Sequence, residues 1–320
     1  MSLLQDLEQH VSDYMFMVSH NKGIYSGTKC HPAISEDLQK AAGGAVDMIS
    51  QADKCTVLLD GDILNTLPPP SGSAMHLDRE LKYERCRLQL RWDHMNHPWY
   101  ETTVDPTNSH LLAIWPFKLC DLSGPILLWY LPDVVPKWLQ ALVFGSLLPV
   151  HRQLKAGISA TNAAMFRNHT SLFLPPLASG IQPGSINLSP GWYQSGHDKD
   201  PTHYPEPSAN WRDLQGDLAS TVVDLSSLHA LASGILRLIH PWQYIQGKAC
   251  MQSLSNDINT RGHIRQWALV FNAATILSNR ETVLHRDGGG TYPWYDILST
   301  HGQYRYGQLS FPMLRIDLDY

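Results

Sequence analysis

Thr282-Val283-Leu284-His285-Arg286-Asp287, followed by Gly288-Gly289-Gly290, is the stretch around which the rest of the chain is best read. In a strand, residues i and i+2 point to the same face. His285 and Asp287 then present an imidazole and a carboxylate side by side. Such a pair is two-thirds of the two-histidine, one-carboxylate set that leaves open positions on a non-haem iron. The three glycines allow the chain to turn away sharply after the pair. Spacing alone is not selective, because sixteen histidines in 320 residues make about one H-x-D expected by chance. A second instance, His76-Leu77-Asp78, opens a segment predicted to be helical, where i and i+2 do not share a face.

The sequence around the motif reads as β. Short apolar runs at 266–271, 275–277, 282–285, 295–299, 308–311 and 314–318 are separated by Gly288-Gly289-Gly290, His301-Gly302 and Pro312. Short strands at close spacing argue for a sandwich or barrel rather than a parallel sheet. Upstream, 111–115 and 126–131 are compact runs bounded by prolines and suit buried strands, and 138–148 suits a helix. Residues 174–216, rich in Pro, Gly, Ser and Asn, read as a long loop. Asp224 or Ser226 caps a predicted helix through Ile239, which Pro241 ends.

The first hundred residues read as helical. Leu4, Leu7, Val11, Tyr14 and Val18 recur at helical spacing over 3–19, and Leu38, Ala41, Ala45 and Ile49 do so over 35–50. Pro68-Pro69-Pro70-Ser71-Gly72-Ser73 is a break. A charged helix is predicted over 77–91, with Arg79, Lys82, Arg85, Arg87 and Arg91 interleaved by acids as on a solvated face. The division that follows is a mostly helical region over 1–108 and a β-rich region over 109–320.

Composition narrows the classes. A net charge of −5 excludes a general basic coat, so any nucleic-acid contact has to come from a local patch. Cys30, Cys55, Cys86, Cys120 and Cys250 form no C-x-x-C and are odd in number, which reads as reduced thiols inside a cell. The opening residues read as neither a signal nor a transit peptide. The longest apolar region, 126–148, is interrupted by Asp133, Pro136 and Lys137, so no membrane span is expected. Asp93-His94 with His97 is only a loose metal pattern. Trp92, Trp99, Trp115 and Trp129 are read as core or loop residues rather than base-stacking platforms.

The run 271–280 (Phe-Asn-Ala-Ala-Thr-Ile-Leu-Ser-Asn-Arg) together with 282–287 resembles the core entry of the TET/JBP-like Fe(II)/2-oxoglutarate-dependent dioxygenases of mushroom-forming fungi. The similarity continues through Trp294-Tyr295-Asp296-Ile297-Leu298, Gly307-Gln308-Leu309 and Pro312, with fainter echoes in Leu128-Trp129-Tyr130-Leu131-Pro132 and in His240-Pro241 with Tyr244. The resemblance implies an α+β fold with a partial double-stranded β-helix (cupin- or jelly-roll-like) core and flanking helices. It implies His285 and Asp287 as catalytic Fe(II) ligands and 2-oxoglutarate as cosubstrate. The implied reaction oxidises a methyl group on a base, of the 5-methylcytosine type, in DNA, with the base flipped into the pocket. It also implies an intracellular, nuclear location.

The sequence departs from that family where the second half of the site belongs. The family needs a distal histidine several strands later and an arginine that pairs with the far carboxylate of 2-oxoglutarate. After Asp287 the chain has His301 alone, and Arg305 and Arg315 also come too early. The expectation is an oxygenase-like domain over 109–320, incomplete at its C-terminus, with little or no oxygenase activity. Two alternatives stand beside it: a catalytically inactive remnant that at most binds nucleic acid or protein, and an unrelated β-rich domain with an incidental H-x-D.

Overall fold

The computed structural model describes residues 3–20, 34–60, 88–92, 111–121, 125–156, 158, 169–175, 180–193, 202–212, 217–282, 294–302, 307–311 and 316–319. Two compact units interleave along the chain. The first takes Met1–Gly43 and Val135–Gln303, the second Gly44–Val134 and Tyr304–Tyr320.

In the first unit, α1 (Leu3–His20) lies along the long helix α6 (Asp217–Ile239). The buried face of α1 carries Val11, Tyr14, Met15 and Val18, and also Glu8 and Ser12. The two helices meet closely at Gly234, where an added Cβ would lie 2.4 Å from the Met15 sulfur. Residues 220–239 of α6 are long and apolar enough to cross a membrane, but 56% of its most apolar 18 residues are buried. Packing against α1 and against α3 (Lys137–Leu147) gives the apolar surface a protein partner. Pro241 does more than end α6. It opens α7 (Pro241–Asn256), whose N-cap is His240, its ring nitrogen accepting from the Gln243 backbone N–H at 3.2 Å. Proline at the first helical position gives up only an N–H that would have no partner there.

The rest of this unit is built on a two-stranded antiparallel ladder, β6 (Gly184–Leu188) with β7 (Ala274–Ser278), in which Ile186 pairs with Ile276. Helices α4 (His151–Ala156) and α5 (Ala209–Arg212) pack on β6. A Cβ at Gly184 would stand 2.0 Å from the Leu154 carbonyl oxygen, so only glycine fits beside α4. Leu154, Ile186, Leu188, Trp211 and Trp267 are at the centre of this core. The short α8 (Arg261–Ile264) closes it.

The second unit is mainly β. Its larger sheet has the order β2 (Leu88–Trp92), β1 (Thr56–Asp60), β4 (Phe117–Asp121), β5 (Ile126–Tyr130); β1 and β4 run parallel and the outer pairs antiparallel. A second sheet joins β3 (Leu111–Ala113), β9 (Ile316–Asp319) and β8 (Gln308–Phe311), in that order. Phe117 and Leu119 turn inward while Lys118 turns out to Asp53 at 2.5 Å, the two-residue alternation of a half-buried strand. Val57, Phe117, Leu119, Tyr130, Ile316 and Leu318 form one apolar core. Helix α2 (Glu36–Lys54) begins in the first unit and ends in the second, burying Leu38, Ala42, Ala45 and Ala52.

The chain is therefore a mixed α and β protein with small sheets, and the described strands close no barrel. Five local expectations are corrected. Asp224 and Ser226 do not cap the helix that ends at Ile239, which already begins at Asp217. Residues 88–91, expected to be helical, belong to β2. The expected loop 174–216 contains β6 and α5. The run 266–271 is not a strand: the Val270 N–H donates to the Ser233 hydroxyl at 2.9 Å and the Trp267 indole to the Phe271 carbonyl at 2.6 Å, so its polar groups are satisfied without a ladder. Residues 295–299 are irregular as well. The apolar region 126–148 divides into β5 and α3.

Candidate functional site

His285 and Asp287 lie outside the described residues, as do His76, Asp78, Asp93, His94 and His97. The flanks of the His285–Asp287 segment are described, and both are held. Upstream, β7 is followed by Asn279, which takes the left-handed conformation (φ 50°) that asparagine tolerates. Its side-chain amide donates to the Ile181 carbonyl at 2.7 Å, and its own carbonyl accepts from the Leu174 N–H at 2.7 Å. The Glu281 N–H then donates to the Leu172 carbonyl at 2.8 Å. Downstream, the buried Gln243 carboxamide grips the Tyr295 backbone twice, donating to its carbonyl and accepting from its N–H, each at 2.8 Å. The His240 ring stands edge-on to Tyr295, centroids 5.2 Å apart.

His301 is described, and it serves a local role. Its Nε2 is 2.8 Å from the Ser299 hydroxyl, and burial holds its pKa below the ordinary histidine value. Among the described residues no three His, Cys, Asp or Glu side chains are grouped so as to hold a metal ion. Trp115 and Trp129 pack with the second unit's core and on its sheet, and Lys118 sits over the Trp129 ring at 5.9 Å.

The structure assembles a polar centre that the sequence did not announce. The Glu8 carboxylate, 4% exposed, accepts from the Ser12 hydroxyl and the Tyr244 phenol, each at 3.0 Å, and from the Lys248 ammonium at 2.5 Å. Burial, and then the charge of Glu8, pushes the Tyr244 phenol well above its usual range. Arg237 pairs with Asp13 at 2.5 Å and lies over the Phe16 and Tyr244 rings. Beside Glu8 and Lys248 is a cavity of about 240 Å³, bounded by the second half of α7, by α8 and by the run after it.

Elsewhere in the same unit, His229 is buried, with its ring 4.9 Å from Trp267. Trp267 meets Trp211 edge-on at 5.2 Å. Loss of hydration pushes the His229 imidazole down to about 4, so it is neutral at physiological pH, and its Nδ1 has no partner among the described residues. Enclosure of this kind makes it a packing element rather than an accessible general base.

Glu8 and Lys248 are 240 positions apart, so no local pattern could have joined them. The single hint is that Glu8, Ser12 and Met15 follow one another at helical spacing beside the apolar stripe of α1. No protein-family model and no curated protein matches this chain.

Proposed function

We propose that the chain is a TET/JBP-like Fe(II)/2-oxoglutarate-dependent dioxygenase domain directed at a methyl group on a DNA base, with His285 and Asp287 as metal ligands and little or no turnover. A double-stranded β-helix core, a DNA partner and a nuclear location belong to the same proposal. The observation that supports it is positional. The H-x-D comes seven positions after the end of β7 in sequence, and the backbone is tied down on either side of it, at Glu281 and at Tyr295. Anchored flanks are one requirement of the close geometric control that a metal site needs.

The described residues alone do not fit an iron centre, since no group of three ligands occurs among them. The one histidine that follows Asp287 in sequence is engaged with Ser299. Anaerobic titration with Fe(II) and 2-oxoglutarate tests the proposal. The expected outcome is weak iron uptake that falls in the His285→Ala variant, with no charge-transfer absorption band. A clear band with turnover of a methylcytosine-containing oligonucleotide overturns the low-activity part. Iron content unchanged in His285→Ala overturns the ligand assignment.

A further inference from the structure

The cavity beside Glu8 has a one-sided distribution of charge. Its described lining includes Lys248, Arg261 and Arg265 as cations and Glu8 as the one acid. Both oxygens of Glu8 are already engaged: one accepts from Ser12 and Tyr244, the other from Lys248. It therefore makes no demand for a cation from solvent. The ammonium of Lys248 carries three donors, and one is used on Glu8. Arg261 and Arg265, four residues apart at either end of α8, are exposed at the mouth. Guanidinium groups favour carboxylate and phosphate oxygens, which they can bind in pairs. Below these charges the wall is apolar, with Met251, Ile264, Leu269 and Val270 all buried. A volume of about 240 Å³ lies below the roughly 300–1,000 Å³ of drug-sized sites, which suits a molecule of about one ring and a headgroup.

We propose that this cavity, between the C-terminal half of α7 and α8, binds a small organic anion, its phosphate or carboxylate held by Lys248, Arg261 and Arg265 and its apolar body against Met251, Ile264 and Leu269. The site is independent of the His285–Asp287 reading, since it uses none of that segment. It is tested by calorimetric titration of the full chain at low salt with phenyl phosphate, benzoate and benzyl alcohol. The expected result is saturable binding of phenyl phosphate or benzoate, or both, that weakens as salt is raised, with the neutral alcohol bound at least about tenfold more weakly, the factor of one charge-assisted contact. The ratio of the two anions identifies the headgroup. Arg261→Glu reverses an exposed charge without touching the core and is expected to weaken anion binding by more than tenfold with an unchanged circular-dichroism spectrum. Gln252→Trp, at the mouth, is expected to block it. Equal binding of the alcohol, no anion binding at millimolar concentration, or Arg261→Glu binding as tightly as the parent would each overturn the proposal.

Discussion

The interiors of the two units are held together by different chemistry. Every buried polar side chain among the described residues belongs to the first unit: Glu8, Ser12, Thr221, His229, Ser233, Gln243 and others. The second unit's core, around Val57, Phe117, Leu119, Ile316 and Leu318, adds only the Tyr130 hydroxyl and the Cys120 thiol to otherwise apolar side chains. In the second unit apolar burial at strand spacing is sufficient. In the first, helices are additionally keyed by polar contacts such as the Thr221 hydroxyl donating to the Ser146 carbonyl at 2.7 Å. Such contacts specify which surfaces meet, but each leaves a costly orphan when its partner is lost.

That contrast predicts acid sensitivity in the first unit. Unfolded, the His229 imidazole takes a proton near pH 6.5; folded, it does so at about 4. Between those values the unfolded chain binds more protons, so stability is full above pH 6.5 and falls as pH drops toward 4, by about 3 kcal/mol. Denaturant titrations across that range, on the parent and on His229→Phe, measure it. The variant should show a dependence shallower by about one proton. Identical slopes would mean that His229 is not the group responsible.

A smaller effect is expected at Glu8. Lys248→Met leaves a buried carboxylate without its cation and is expected to cost about 2 kcal/mol, less than a fully enclosed pair because Lys248 is about one-third exposed. Adding Glu8→Gln, which keeps an acceptor for Ser12 and Tyr244, should recover most of the loss. A double variant no better than the single would show that packing, not charge, carries the effect.

The smallest change is reserved for the apolar unit. Tyr130 donates its hydroxyl to the Asp319 carbonyl. Tyr130→Phe keeps the ring against Phe117 and is expected to cost about 1 kcal/mol, read as a shift in urea midpoint. A loss as large as that of Lys248→Met would erase the distinction between the two interiors.

The same contrast decides what could be read in advance. Helix α1 was predicted over 3–19 and forms over Leu3–His20, because one apolar stripe suffices to define a helix face. Strands β5, β7, β8 and β9 fall within or beside the runs expected for them. Residues 88–91 misled because Arg87 and Arg91 look like a solvated helix, whereas pairing with β1 makes a strand of them. Helix α7 was missed because Pro241 reads as a stop, and its capping by His240 is visible only in three dimensions. The 266–271 run is continuously apolar, a pattern that periodicity cannot assign. Of the sites, the H-x-D was legible as a motif. The Glu8 cavity was not, since a polar residue's burial depends on partners supplied from far along the chain.

The separation of Glu8 from Lys248 also has a consequence for biosynthesis. At about 5–20 residues per second, the 240 positions between them take roughly 12–48 seconds to translate. For most of that interval Val11 and Met15 lack α6, and Glu8 lacks its ammonium partner. Helix α1 is therefore made well before the helix it packs against, and its apolar stripe has to wait for that partner.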